Sequence, residues 1–180
     1  MKDKEDFAII LDYLPYGYPV MGGRMTSIAQ AIGEKNLALL ELVPRRGIIL
    51  EAKEKVYIGS DKRDKIYFIA GRLSKDKLTV AAKIQLHEYL EKVVAEQEKK
   101  YVDFFSNAQA INTRLHQLEL LPGFGKKHTE EVLKAREDKP FASFEDLKER
   151  VKNLPDPKKA IEKRLLEELI ERQRFYLFIR

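Results

Sequence analysis

Leu121-Pro122-Gly123-Phe124-Gly125-Lys126-Lys127 is the stretch on which the reading of this chain turns. Leu118 and Leu121 stand at helical spacing on an incoming helix, which Pro122 ends. Gly123 and Gly125 open backbone angles closed to residues with a Cβ, and their bare main chain admits a phosphate. Phe124 between them reads as a plug into a helix pair. A second helix then begins near Gly125, with Val132 and Leu133 facing a core and Arg136 further along. The unpaired N–H groups and dipole at its start favour an anion. Lys126 and Lys127 add charge beside it, and His128 lies within reach of the same phosphate. Residues 112–136 are therefore expected to form a helix-hairpin-helix, with the amides of Gly123, Phe124 and Gly125 turned towards a nucleic-acid phosphate. Pro-Gly alone would mark a plain turn between helices; the full Leu-Pro-Gly-apolar-Gly-Lys pattern is more specific.

Working outward, the sequence from Leu154 to Leu165 can be laid on that from Leu121 to Leu133 with one residue deleted, so that Leu-Pro, Lys-Lys and a later Leu coincide. A degenerate second hairpin is expected over residues 145–170, packed like the first but without its glycines. Ser143 can cap a short helix ahead of it. Upstream, residues 79–100 show helical periodicity through Ala82, Leu86, Tyr89, Leu90, Val93 and Val94. The rest of the chain to residue 173 reads as helical, and the apolar tail 174–180 as a buried segment tied back to the N-terminal part.

Before residue 75 the pattern is of short strands. Residues 7–13, 37–43, 47–50, 55–58 and 66–73 are strand-length runs between turn residues, while 27–32 fits a strand or a short helix. Five or so strands in such a length suggest a small OB-like antiparallel β-barrel. A Gly-rich loop over 16–24 lacks Walker spacing and reads as a barrel loop. Tyr57, Tyr67 and Phe68 interleave with basic residues, so Arg45, Arg46, Arg63 and Arg72 are candidate barrel contacts for a single strand. The fold class is thus α+β multidomain: a barrel over 1–75 and an all-α helix-hairpin-helix domain over 76–180.

The 180 residues carry a net charge of +5, with 35% charged and 44% apolar. Residues 1–75 hold 13 Lys/Arg against 10 Asp/Glu and the remainder 21 against 19, so neither half is a polybasic tail. Any nucleic-acid site must be a local patch. No cysteine is present, which removes disulfides, thiolate zinc sites and thiol nucleophiles and fits a cytoplasmic location. Lys/Glu enrichment points to a thermophilic source. No apolar run approaches the roughly 18 residues that span a bilayer, so no membrane partner is expected.

The hairpin followed by residues 136–147 resembles bacterial competence-type DNA-binding proteins. The whole chain resembles an archaeal family of unknown function described as predicted nucleic-acid-binding proteins. Leu11-Asp12-Tyr13, Leu39-Leu40-Glu41-Leu42, Val56-Tyr57-Ile58-Gly59, the run from Arg114 to Gly125 and Tyr176-Leu177-Phe178 carry that likeness. It implies a barrel-like N-terminal domain joined to a helix-hairpin-helix domain, and no reaction. Asp138 and Asp146 follow the hairpin, but the Gly-Pro-rich context of the DNA-glycosylase relatives is missing.

His87, His116 and His128 are scattered, and neither Asp61/Asp64 nor Glu130/Glu131 lies in a metal-binding motif. No enzyme, cofactor, metal or small-molecule substrate is therefore expected. The expectation is a non-sequence-specific nucleic-acid-binding protein, RNA or DNA, that holds backbone phosphates through Gly123, Phe124, Gly125, Lys126, Lys127 and His128. A protein-interaction adaptor is the first alternative, and a nuclease or repair-type enzyme with an unrecognised metal site the second.

Overall fold

Five antiparallel strands make the N-terminal sheet because the apolar runs alternate against bulges and turns rather than at helical spacing. In a computed structural model, which describes residues 3–19 and 25–179, they are β1 (Phe7–Pro19), β2 (Met25–Gly33), β3 (Leu39–Pro44), β4 (Lys55–Tyr57) and β5 (Ile66–Arg72). Their order is β4-β1-β2-β3-β5, and every neighbouring pair runs antiparallel. The sheet curls into a half-barrel around Ala8, Ile10, Ala29, Leu42, Val56 and Ile66. No ladder joins β4 to β5 among the described residues, so where a small barrel was expected the sheet is a half-barrel, open between its edge strands.

Residues 27–32, which fitted strand or helix alike, lie in β2. Residues 47–50 belong to no strand: Arg45 and Ile48 close a turn through their backbones (3.0 Å) where a strand was expected. β1 runs through Pro15 and Gly17 instead of stopping there. A bulge between Leu14 and Tyr18 absorbs them, and Gly17 (φ +53°) lies where a Cβ would collide with the Thr26 carbonyl oxygen. Most of the Gly-rich loop, residues 20–24, lies outside the described residues.

The chain divides into two compact units: Met1–Glu88 with Leu169–Arg172 and Ile179–Arg180, and Tyr89–Glu168 with Gln173–Phe178. In the first, the buried Gln30 side chain donates to the Lys77 carbonyl (2.6 Å) and accepts from the Thr79 amide (3.1 Å). Thr79 Oγ1 in turn accepts from the Ala82 amide, which starts α1 (Val80–Glu96) on the sheet. α1 stops at Glu96 because the backbone of Gln97 leaves the helical region (ψ +35°), and α2 (Glu98–Asn107) follows.

The second unit departs from the expected run of helices. Residues 110–116 form a small β-hairpin, β6 (Ala110–Asn112) and β7 (Leu115–His116), because Asn112 Oδ1 accepts from the Arg114 amide (2.8 Å) and turns the chain. A single 3-10 turn (Gln117–Leu120) then leads to α3 (Lys126–Arg136), α4 (Phe144–Arg150) and α5 (Pro157–Ile170). The tail is half-exposed rather than buried, with Tyr176 at 47%. Its main chain is what is held. The buried Glu168 carboxylate accepts from the Leu177 and Phe178 amides (2.6 and 2.9 Å), and Arg164 donates to the Phe175 carbonyl (2.6 Å).

Replacing Gln30 by Leu leaves the Lys77 carbonyl and Thr79 amide without that partner. A loss of about 1–3 kcal/mol is expected in urea unfolding, against an unchanged midpoint if Gln30 were a passive filler.

Candidate nucleic-acid interface

The reversal at residues 121–125 is built as its residue types require. Leu121 (1% exposed) and Phe124 (6%) are buried, while Gly123 and Gly125 on either side are exposed. The Phe124 ring lies 6.0 Å from that of Phe105 and 5.8 Å from that of His128, so it is the plug its position suggested. Gly123 sits at φ +84°, a left-handed angle that favours glycine. Gly125 is different. It is the N-cap of α3 at φ −111°, which any residue adopts, and a Cβ there would meet nothing within 4 Å. Glycine at this position keeps open space at the helix start rather than relieving a clash.

Two of the amides expected to face a phosphate are already used. The Phe124 amide donates to the Leu121 carbonyl (3.0 Å), and the Gly125 amide to His128 Nδ1 (3.2 Å). His128 is thus a cap on the loop in this structure. The donors at the helix start are instead the amides of Lys126, Lys127 and His128, which α-helix geometry leaves without an intrahelical acceptor. The side chains of Lys126 and Lys127 are exposed beside them. The incoming element is also shorter than expected. The one-turn 3-10 segment is capped by His116, whose Nδ1 accepts from the Leu118 amide (3.1 Å) while Glu119 accepts from the His116 amide (2.7 Å).

The second loop lies beside the first: a Cβ on Gly123 would stand 3.6 Å from Pro155 Cβ and Cγ. Its register differs from the Leu-Pro alignment. Buried Val151 ends α4 as Leu121 ends the 3-10 turn, and two residues later Asn153 is left-handed (φ +61°) as Gly123 is. The equivalent of Gly123 is therefore Asn153, and Leu154 takes the place of Phe124. Asp156 caps α5, its Oδ1 accepting from the Lys159 amide (3.2 Å), so a carboxylate of the chain itself occupies that helix start.

Three arginines that count towards the basic charge are spent inside this unit. Arg136 donates to the Phe105 and Ala108 carbonyls (3.2 and 2.7 Å) at the end of α2. Arg150 gathers the Ala135, Lys139 and Pro140 carbonyls (2.8, 2.6 and 3.1 Å) together with Asp146. Arg164 holds Leu120, Phe175 and Glu168. In the first unit, Arg45 donates through Nε to the Arg63 carbonyl (2.7 Å) and Arg63 to the Gly59 carbonyl (2.8 Å). Arg45 and Arg46 line one cleft; Arg63 and Arg72 do not, Arg72 lying opposite Leu40 on β5. Among the described residues no group of three His, Asp or Glu side chains converges as a metal site, and no helix is long and apolar enough to cross a membrane.

Residues 4–180 match the model of a protein family of unknown function, DUF655. The chain belongs to this family. An uncharacterized protein of Methanocaldococcus jannaschii, MJ0038, is 39% identical over 178 residues, covering 98% of this chain and 80% of that one. The crystal structure of Af1531 from Archaeoglobus fulgidus, a DUF655 protein, superposes with a TM-score of 0.83 at 42% identity over 98% of this chain and all of that one. The likeness to Af1531 extends to the α+β fold, which here has a curled five-stranded sheet and, among the described residues, five α-helices.

His116 supplies a pH signature for the loop. Burial, helped by Arg136 and opposed by Glu119, holds its imidazole below the ordinary histidine range. The unfolded chain then takes up the proton first, so this contribution is complete above about pH 6.5 and declines as pH falls below it. His116→Gln is expected to flatten part of the acid-side loss of stability, read by urea unfolding at about pH 8 and about pH 5; an unaltered slope would remove His116 from that role.

Proposed function

We propose that this protein binds nucleic acid without reading sequence, gripping the phosphate backbone at the start of α3. The loop 121–125 with α3 is read as a helix-hairpin-helix whose first helix is reduced to one turn, and the half-barrel as an OB-like module. The observation that carries the reading is Gly125: an exposed helix cap at an ordinary backbone angle, with open space where a side chain would be. Around that space stand the amides of Lys126, Lys127 and His128 and two exposed lysine side chains. A phosphate there meets unpaired N–H groups, the helix dipole and two cations together. It also competes with His128 for the Gly125 amide, and the displaced imidazole stays beside the anion.

Asp156 gives the contrast. The neighbouring loop fills its helix start with its own carboxylate, so it supports packing and repels a phosphate. One clamp of this kind neutralises few phosphates, and backbone contacts position the protein without choosing bases.

For two to four phosphates, log K for duplex DNA should fall with log salt at a slope of about −2 to −4. Gly125→Val is expected to keep the fold and weaken duplex binding by about tenfold, roughly the worth of one charge-assisted hydrogen bond. Duplex binding equal to wild type in the folded variant would transfer the loop to a protein-docking role.

A further inference from the structure

A cleft of about 1070 Å³ opens in the first unit between β1, the start of β2, the turn after β3 and β5. Its walls gather side chains that a folded protein normally hides. Tyr16 (84% exposed), Ile49 (77%), Tyr67 (64%) and Met25 (60%) are four of the most exposed large apolar side chains among the described residues, and all line this cleft. Arg45 and Arg46 stand among them, both exposed, and no described lining residue carries a carboxylate. One wall is braced: the Tyr13 hydroxyl donates to the Ile48 carbonyl (3.3 Å), and Arg45 is aimed by its bond to the Arg63 carbonyl (2.7 Å).

We infer that this cleft binds single-stranded nucleic acid, with unstacked bases on Tyr16 and Tyr67 and backbone phosphates at Arg45 and Arg46. Charge decides the class of occupant. A groove whose described lining carries two guanidinium groups and no acid favours a polyanion. Exposed tyrosine rings require that polyanion to offer flat apolar faces. Single strands have both, whereas a duplex keeps its bases stacked inside and presents phosphates alone. The site lies wholly in the first unit and is independent of the α3 clamp. DNA and RNA share this chemistry, and nothing in the cleft singles out the 2′-hydroxyl.

The test uses the full chain with labelled oligothymidylate and oligouridylate of roughly 12 nucleotides, within the span of known single-strand sites, beside a duplex DNA of similar length. Both strands should bind the wild type with a salt slope of about −1.4 for two phosphates. Tyr16→Ala and Tyr67→Ala should each weaken both strands roughly five- to hundredfold and leave duplex binding unchanged. Because both rings are exposed, thermal midpoints should stay at the wild-type value. Gly125→Val should have the opposite pattern, so failure of the cleft and failure of the clamp give different results. A preference between the two oligonucleotides would name the natural strand. Folded tyrosine variants that bind single strands like wild type would overturn the inference. So would displacement of the strand by polyglutamate at equal charge, which would assign the cleft to an acidic protein segment.

Discussion

One buried ring between two bare, exposed glycines organises the candidate interface. Phe124 must reach the side chains of its own unit, and the chain can present it only by reversing sharply through Gly123. That reversal delivers Gly125 to the start of α3 with its backbone at the surface. Burial of about one aromatic side chain, worth roughly 1.5–3 kcal/mol, thus fixes where the open amides point. The same logic explains the adjacent loop, where Asn153 makes the left-handed step, a half-buried Leu154 replaces the ring and Asp156 closes the helix start.

Charge in this protein divides into cations that hold the fold and cations that meet solvent. Arg136, Arg150 and Arg164 each collect backbone carbonyls, which is work a planar guanidinium does well and an ammonium does poorly. Lys126, Lys127, Arg45 and Arg46 are exposed and lie at the start of α3 or in the cleft of the first unit. The modest net charge of +5 therefore understates how local the basic surfaces are.

The parts legible from sequence were those where one residue type has few uses. Gly-Phe-Gly after Leu-Pro marked the reversal, Ser143 marked the start of α4 through its bond from the Asp146 amide (3.0 Å), and helical spacing marked α1. The hairpin at 110–116 was hidden because Asn112 forms its turn through a side-chain bond that periodicity does not register. The tail departs from its apolar pattern for a related reason. Its apolar residues suggested burial on both faces, but a carboxylate nine residues earlier holds its amides. Barrel closure could not be judged either, since strand lengths fix neither the edge pairing nor the curl. At the candidate site the residue types predict the shape of the loop but not its hydrogen bonds: His128, expected to meet a phosphate, caps Gly125.

The proposed phosphate grip rests on particular amides, and amide NMR shifts during titration with a short DNA duplex report on them directly. The largest shifts should fall on Lys126, Lys127 and His128, with Gly125 moving as His128 releases it, while Lys158 and Lys159 at the Asp156-capped helix stay still. Equal shifts at both helix starts, or shifts confined to residues away from α3, would contradict it.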